Sequence, residues 1–250
     1  MATRVHEDQH LRGLAAAVRD FAADVRTADP SAPVPTCPGW TVRDLVAHQG
    51  MVHRWATGAL RGQDLPAEPL EAEGLASDDP DRWLESGAEE LLTTLRTVPT
   101  DVDAPVFLKD PPAPRAFWAR RQCHETVIHG VDARAALLGR APSVQEVSID
   151  PVLALDGIDE LLTGFLPRRK AKVHLPEVAT LAVATPDAWW QIVIGPDPVV
   201  TTRHDGDAPA GDWIVRGDPV ELYLRLWHRL DVTEHPDDWP PGWQNFAVTW

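Results

Sequence analysis

Apolar residues in the first two-thirds of the chain recur at helical spacing. Leu11, Leu14, Val18, Phe21 and Val25 repeat at intervals of three and four, the stripe of an amphipathic helix that Asp29-Pro30 stops. A proline-stiffened connection, SAPVPTCPGW, follows, and Thr41 opens a second helix as N-cap, with Asp44 three residues on completing a capping-box-like T-x-x-D. The inward stripe of that helix is Leu45, His48, Val52 and Trp55, so His48 stands where an apolar residue is expected. Residues 61–80 read as an acidic loop containing Pro and Gly, and Pro80–Arg96 as a third helix that buries Trp83, Leu84, Leu91, Leu92 and Leu95. Residues 97–114 hold five prolines and read as an ordered loop. Arg115–Arg140 contains no proline and is predicted as a helix of several turns that stops at Gly139-Arg140. Four helices joined by loops predict a four-helix bundle, in which inward side chains on facing helices commonly build metal sites.

The period then changes. Asp150-Pro151 starts a helix through LALDGIDELLTGFL. Beyond Pro167 come short β-rich runs, Thr180–Thr185, Ala188–Gly195, Val199–Arg203 and Trp213–Arg216, separated by Pro, Gly and Asp. Asp218-Pro219-Val220-Glu221 opens a last helix, predicted to run through Arg229. The switch from helical period to short strands places a boundary near residues 165–175. The expectation is an α+β chain, with a helical bundle over residues 1–167 and a smaller α/β domain over residues 168–250.

Composition narrows the classes. At 250 residues and 44% hydrophobic, the chain can bury one large or two modest cores. It has no apolar run of about 18 residues and no signal-type segment in MATRVHEDQHLRG, so a cytoplasmic protein with no membrane partner is expected. A net charge of −15 disfavours nucleic acid and anionic membrane, while leaving room for a local basic pocket. Cys37 and Cys123 are the only cysteines, which is no disulfide framework and fits a reducing compartment. The glycine-rich nucleotide motifs and the G-x-S-x-G elbow are absent.

The chemistry lies on the Arg115–Arg140 helix. Trp118, Gln122, Glu125, His129, Asp132 and Ala136 share one face, and four consecutive members are polar or charged. Beside them runs an apolar stripe of Phe117, Ile128, Val131 and Ala135. A polar row on a packed helix is costly unless it binds something. Glu125 and His129, at i and i+4, can converge on one divalent ion, although such a pair alone is more often a surface ion pair or a hydrogen-bonded core histidine. His48 is the third candidate ligand. Two neutral imidazoles and one carboxylate leave open coordination positions, for water or for the sulfur of a thiol co-substrate. His53 and His124 lie about 140° and 100° round their helices from the candidate ligands and read as rim or surface histidines. Asp132 either orients His129 or pairs with Arg121 or Arg134. Cys37 reads as a small buried residue of a turn, and Cys123 as an inert buried thiol.

Three separated stretches, PTCPGWTVRDLVAHQGMVHRWA, RRQCHETVIHGVDARAAL and LALDGIDELL, occur in an order that resembles the mycothiol-dependent maleylpyruvate isomerase family of actinobacteria. RGDPVELYLRLWHRL resembles its C-terminal part. The resemblance implies a DinB-like metal-binding four-helix bundle followed by a sterol-carrier-like α/β domain. It implies that His48, Glu125 and His129 bind a divalent metal, usually zinc, and that the low-molecular-weight thiol mycothiol supplies a sulfur nucleophile. It further implies a C-terminal arginine that binds substrate carboxylate, for which Arg229 is the candidate and Arg225 the second choice. The expected activity is isomerisation of an unsaturated acid, or transfer of the thiol to an electrophile, by a monomer or dimer whose partners are small molecules. Metal-assisted hydrolysis and non-catalytic ligand binding are the alternatives.

Overall fold

The computed structural model describes residues 5–168, 175–206, 212–230, 239–240 and 243. The chain divides into two compact units, one of Arg4–Val106 and Pro112–Ile149, the other including Phe107–Pro111 and Asp150–Trp250. This division falls at residues 149/150 and not at the 167/168 suggested by periodicity. The helix that begins at Pro151 packs on the last helix of the second unit, and a helical period carries no information about which neighbour a helix joins.

The first unit contains α1 (Glu7–Thr27), α2 (Val42–Leu60), α3 (Ala67–Leu75), α4 (Pro80–Thr97) and α5 (Pro114–Leu138). α1 and α2 each pack on both α4 and α5, which closes the expected four-helix bundle. The predicted signals act where they were read. Thr41 and Asp44 form a reciprocal capping box at the start of α2, and Gly139 ends α5 in the left-handed region at φ 70°. α3 departs from the expectation of a loop over 61–80. Gly74 is its only buried residue, so it has no apolar stripe to betray it. α5 is enclosed on both of its marked faces. Phe117, Ile128, Val131 and Ala135 are buried, and so are Gln122, Glu125, His129 and Asp132.

Close approaches at two glycines set the α2–α3–α4 corner. The Trp83 indole fills the space that a Cβ at Gly50 would need, and a Cβ at Gly74 would lie 2.8 Å from the Ala47 backbone. The Arg54 guanidinium covers the same indole at 3.3 Å from its centroid. It also donates to the Gly50 and Trp83 carbonyls. The connection between α1 and α2 is equally well tied. Pro33 and Thr41 form a β-bridge, Val34 N–H donates to the Trp40 carbonyl, and Trp40 N–H to that of Cys37. Gly39, at φ 91°, permits the reversal. Val34 sits in a core cluster with Phe21, Leu45, Val46 and Ala133, against which Cys37 and Trp40 also pack.

In the second unit, α6 (Pro151–Asp159) runs on into a π-helical turn, Glu160–Phe165. A four-stranded sheet follows, of β1 (Ala179–Ala184), β2 (Ala188–Ile194), β3 (Val200–Asp205) and β4 (Trp213–Arg216), in the order β3-β2-β1-β4. β1 pairs antiparallel with β2 and parallel with β4. Trp190, on β2, donates its indole N–H to Asp159 at 3.0 Å, tying the sheet to the end of α6. α7 (Pro219–Leu226) packs on α6. It is shorter than the helix expected through Arg229, because His228 takes a left-handed φ of 57° and turns the chain out of the helix. Arg229 thus follows α7 rather than belonging to it. Among the described residues no helix is long and apolar enough to cross a membrane.

The glycine contacts predict opposite effects at two helical positions. Gly50→Ala overpacks the Trp83 indole and is expected to cost about 1–3 kcal/mol. Gly130→Ala, whose Cβ would meet nothing nearer than the Phe21 Cβ at 3.8 Å, is expected to be neutral or to stabilise by up to about 1 kcal/mol through helix propensity. Urea denaturation of the two variants measures both.

A candidate metal centre in the helical unit

His48 comes from α2, and Glu125 and His129 come from α5. One donor atom from each lies within 4.8 Å of the other two. Glu125 Oε1 is 3.4 Å from His129 Nε2 and 3.9 Å from His48 Nε2. The sequence-predicted trio therefore comes together on one carboxylate oxygen. The opposite side of each α5 donor is engaged. Arg121 Nη2 donates to Glu125 Oε2 at 2.9 Å, and His129 Nδ1 meets Asp132 Oδ2 at 2.9 Å. A carboxylate on Nδ1 keeps the proton there, leaving the Nε2 lone pair directed at the centre.

Asp132 is itself fixed by the connection before α2. Thr36 Oγ1 donates to its Oδ1 at 2.6 Å and the Cys37 thiol to its Oδ2 at 3.2 Å. Of the two readings left open for Asp132, the orienting one is observed. Arg121 pairs with Glu125, and Arg134 with Asp24 at 3.0 Å. Cys37 is half-buried and holds Asp132, a role its turn sequence does not announce. Trp40 walls the site, its indole stacked on the His129 ring at 6.0 Å and tilted against the His48 ring at 4.9 Å. On the far side of His48, Glu71 of α3 places Oε1 at 3.7 Å from Nδ1.

The electrostatics are those of a compensated buried charge. Burial pushes the Glu125 carboxyl upward, but its contacts with His129 and His48 and the Arg121 charge outweigh this and hold it well below the ordinary carboxylate range. Burial also opposes the imidazolium of His129, yet Asp132, Cys37 and Glu125 raise its pKa well above the usual histidine value. The donors fit a divalent ion. Two imidazole nitrogens and one carboxylate oxygen converge, and the outer atoms of Glu125 and His129 are held by Arg121 and Asp132.

The two decoy histidines are buried, not at a rim. His53 Nε2 lies 2.9 Å from both Gln49 Nε2 and Thr126 Oγ1. His124 is fully buried with its ring edge-on to His10 at 5.8 Å. Gln122, one turn before Glu125 and fully buried, has neither amide atom hydrogen-bonded among the described residues. Arg229, from the second unit, is half-buried and donates Nη1 to the Trp227 carbonyl at 2.7 Å.

Residues 11–134 match the family model described as the mycothiol maleylpyruvate isomerase N-terminal domain. These residues, just under half of the chain, carry the N-terminal domain of that family. His48, Glu125 and His129 all lie within the matched range. The fold is shared with a crystal structure of the mycothiol-dependent maleylpyruvate isomerase, at 16% identity, 90% coverage of both chains and a TM-score of 0.57. A histidine-to-alanine mutant of that isomerase matches at 15% identity, again over 90% of both chains, with a TM-score of 0.58. Among curated proteins no sequence matches significantly. The likeness to solved isomerase structures covers both the helical unit and the sheet-containing one, which makes the family's α+β architecture that of this chain.

Two predictions follow from the site's surroundings. Asp132→Ala frees Nδ1 of His129 and is expected to weaken divalent-metal binding about 10- to 100-fold, read by chelator competition. His53 is held neutral, its pKa pushed down to about 3, first by burial and then by the Arg54 charge. The folded chain thus binds fewer protons than the unfolded one between that value and the ordinary 6.5, so stability falls as pH falls through this window. Metal-free protein is expected to lose up to about 1.4 kcal/mol per pH unit below the upper limit, and His53→Gln to flatten the slope in denaturant melts.

Proposed function

We propose that the chain is a metal- and mycothiol-dependent enzyme of the maleylpyruvate isomerase type, with His48, Glu125 and His129 as metal ligands. One observation carries the reading: three donors of zinc-compatible type converge within 4.8 Å, with no fourth side chain in the group among the described residues. Three protein ligands are the pattern of a catalytic site, which keeps a position for an exchangeable partner, whereas structural zinc is closed by four. A divalent metal held there supplies a Lewis acid that favours the thiolate form of a thiol near neutral pH.

The chain's own groups prepare that position. Arg121 keeps Glu125 Oε2 occupied, so the carboxylate offers Oε1 to the centre. Asp132 holds the His129 proton on Nδ1. Trp40 covers both imidazoles and excludes water from one side. The reaction assigned to the site is addition of the thiolate sulfur to the double bond of an unsaturated acid. One S–C bond forms, the π electrons move onto the conjugated carbonyl oxygen, and the former double bond becomes free to rotate. Return of the electrons expels the sulfur, gives the trans acid and regenerates the thiol. In an S-transferase the same first step ends with the C–S bond retained, the carbon next to the carbonyl taking up a proton in place of the one the thiol lost. Arg229 is assigned the acid's carboxylate, since a guanidinium fork matches it in two hydrogen bonds. Arg225 is the second candidate, but it is buried and pairs with Glu221 at 3.5 Å.

The expected outcome is one divalent metal per purified chain, lost in His129→Ala, and a melting temperature raised by mycothiol only in the metal-loaded protein. Turnover of an unsaturated acid should require both, with thiol titration showing regeneration for an isomerase and loss for a transferase. Arg229→Gln should raise KM for the acid and leave metal content unchanged. Turnover without thiol would replace the reading by hydrolysis, and metal binding with no thiol response would make the centre non-catalytic.

A further inference from the structure

We propose that Glu71, on the short helix α3, is the positioning residue for His48, as Asp132 is for His129. The proposal rests on the metal reading above and extends it to a part of the chain outside the four long helices. The His48 ring has two nitrogens facing two carboxylates. Nε2 points to Glu125 Oε1 at 3.9 Å and Nδ1 to Glu71 Oε1 at 3.7 Å. Glu71 stands on the opposite side of the ring from the centre, which makes it an orienting group and not a fourth ligand. A carboxylate on Nδ1 fixes the tautomer that leaves Nε2 free to ligate.

The placement of Glu71 is built into the packing. Gly74, one turn further along α3, has no room for a Cβ, which would lie 2.8 Å from Cα of Ala47 and 2.6 Å from the Trp83 indole nitrogen. Ala47 is the residue before His48. The missing side chain therefore lets α3 touch α2 next to the ligand, and brings Glu71 over the imidazole. The two orienting contacts differ in kind. Asp132 is fully buried and held by Thr36 and Cys37, whereas the Glu71 side chain is 40% exposed and its contact to Nδ1 is longer than a hydrogen bond. α3 is attached through few buried atoms, so it belongs to the less stable part of the unit. His129 is the rigid ligand of the centre and His48 the adjustable one.

The test is zinc affinity by chelator competition, with long-range proton–nitrogen correlation spectra of the His48 ring in the metal-free protein. Glu71→Ala is expected to weaken zinc about tenfold or more and to convert a single Nδ1–H tautomer signal of His48 into a mixed one. Glu71→Gln, whose amide oxygen still accepts from Nδ1–H, is expected to recover most of the affinity. Glu68→Ala, an exposed carboxylate on the same helix, is expected to match wild type. Far-ultraviolet spectra and melts of the metal-free variants should coincide. If Glu71→Ala binds zinc as Glu68→Ala does, or if Glu71→Gln is as weak as Glu71→Ala, the orienting role is overturned while the metal centre stands. A wild type that takes up no zinc overturns the metal reading and this proposal together.

Discussion

A carboxylate enclosed in a helical bundle must be compensated, and Glu125 is almost wholly enclosed. Much of the helical unit answers that requirement. Arg121, one turn back on the same helix and equally buried, takes one oxygen, and the two imidazoles face the other. His129 then needs a partner on its outer nitrogen, which Asp132 supplies. Asp132, fully buried in turn, draws in Thr36 and Cys37 from the connection before α2. The chain of dependence ends in the turns closed by Gly39 and the core seat of Val34. A polar network that is satisfied at each step is a rigid one, and its members specify where the helices lie.

The same logic explains why α5 is buried on two faces. Its apolar stripe packs in the bundle as any core helix would, and its polar stripe holds two candidate ligands, Glu125 and His129, with the orienting Asp132 beside them. One helix therefore carries both core packing and most of the candidate site. α2 contributes the candidate ligand His48 and, five residues on in the same interior, the neutral His53 held by Gln49 and Thr126. Histidines of one helix differ in role because their surroundings differ. His48 lies at the partly open edge beside Glu71, whereas His53 is sealed in the interior, where burial and then the Arg54 charge favour its uncharged form.

The candidate trio was legible because polar side chains occupied positions that periodicity reserves for apolar ones. His48 interrupts the stripe of Leu45, Val52 and Trp55, and Glu125 and His129 share a face at one-turn spacing. The orienting function of Asp132 was legible as one of two options, since spacing brings it one turn beyond His129. Thr36 and Cys37 were not, because their contacts with Asp132 span nearly a hundred residues and a turn motif says nothing of what lies across from it. Glu71 was hidden with α3, whose exposed and acidic sequence has no stripe. The end of α7 was misplaced because His228, without a glycine, adopts a left-handed backbone. For His53 and His124 the angle to the candidate ligands tells whether a side chain joins the site but not whether it is buried.

Charge balance within the network bears on what the proposed centre accepts. Without metal, Glu125 and Asp132 are each countered, one by Arg121 and the other by the imidazolium that Asp132, Cys37 and Glu125 favour on His129. The four groups sum to zero. A divalent ion takes the Nε2 position of that proton, so metal uptake releases it and becomes weaker as pH falls. The exchange of one positive charge for two leaves the enclosed group with a single positive excess. In a low-dielectric interior such an excess is costly unless an anion enters with it. A neutral water does not cancel it, whereas a thiolate does. The residues that hold the proposed metal thus favour an anionic sulfur in its open position, which is the requirement of a thiol-dependent reaction.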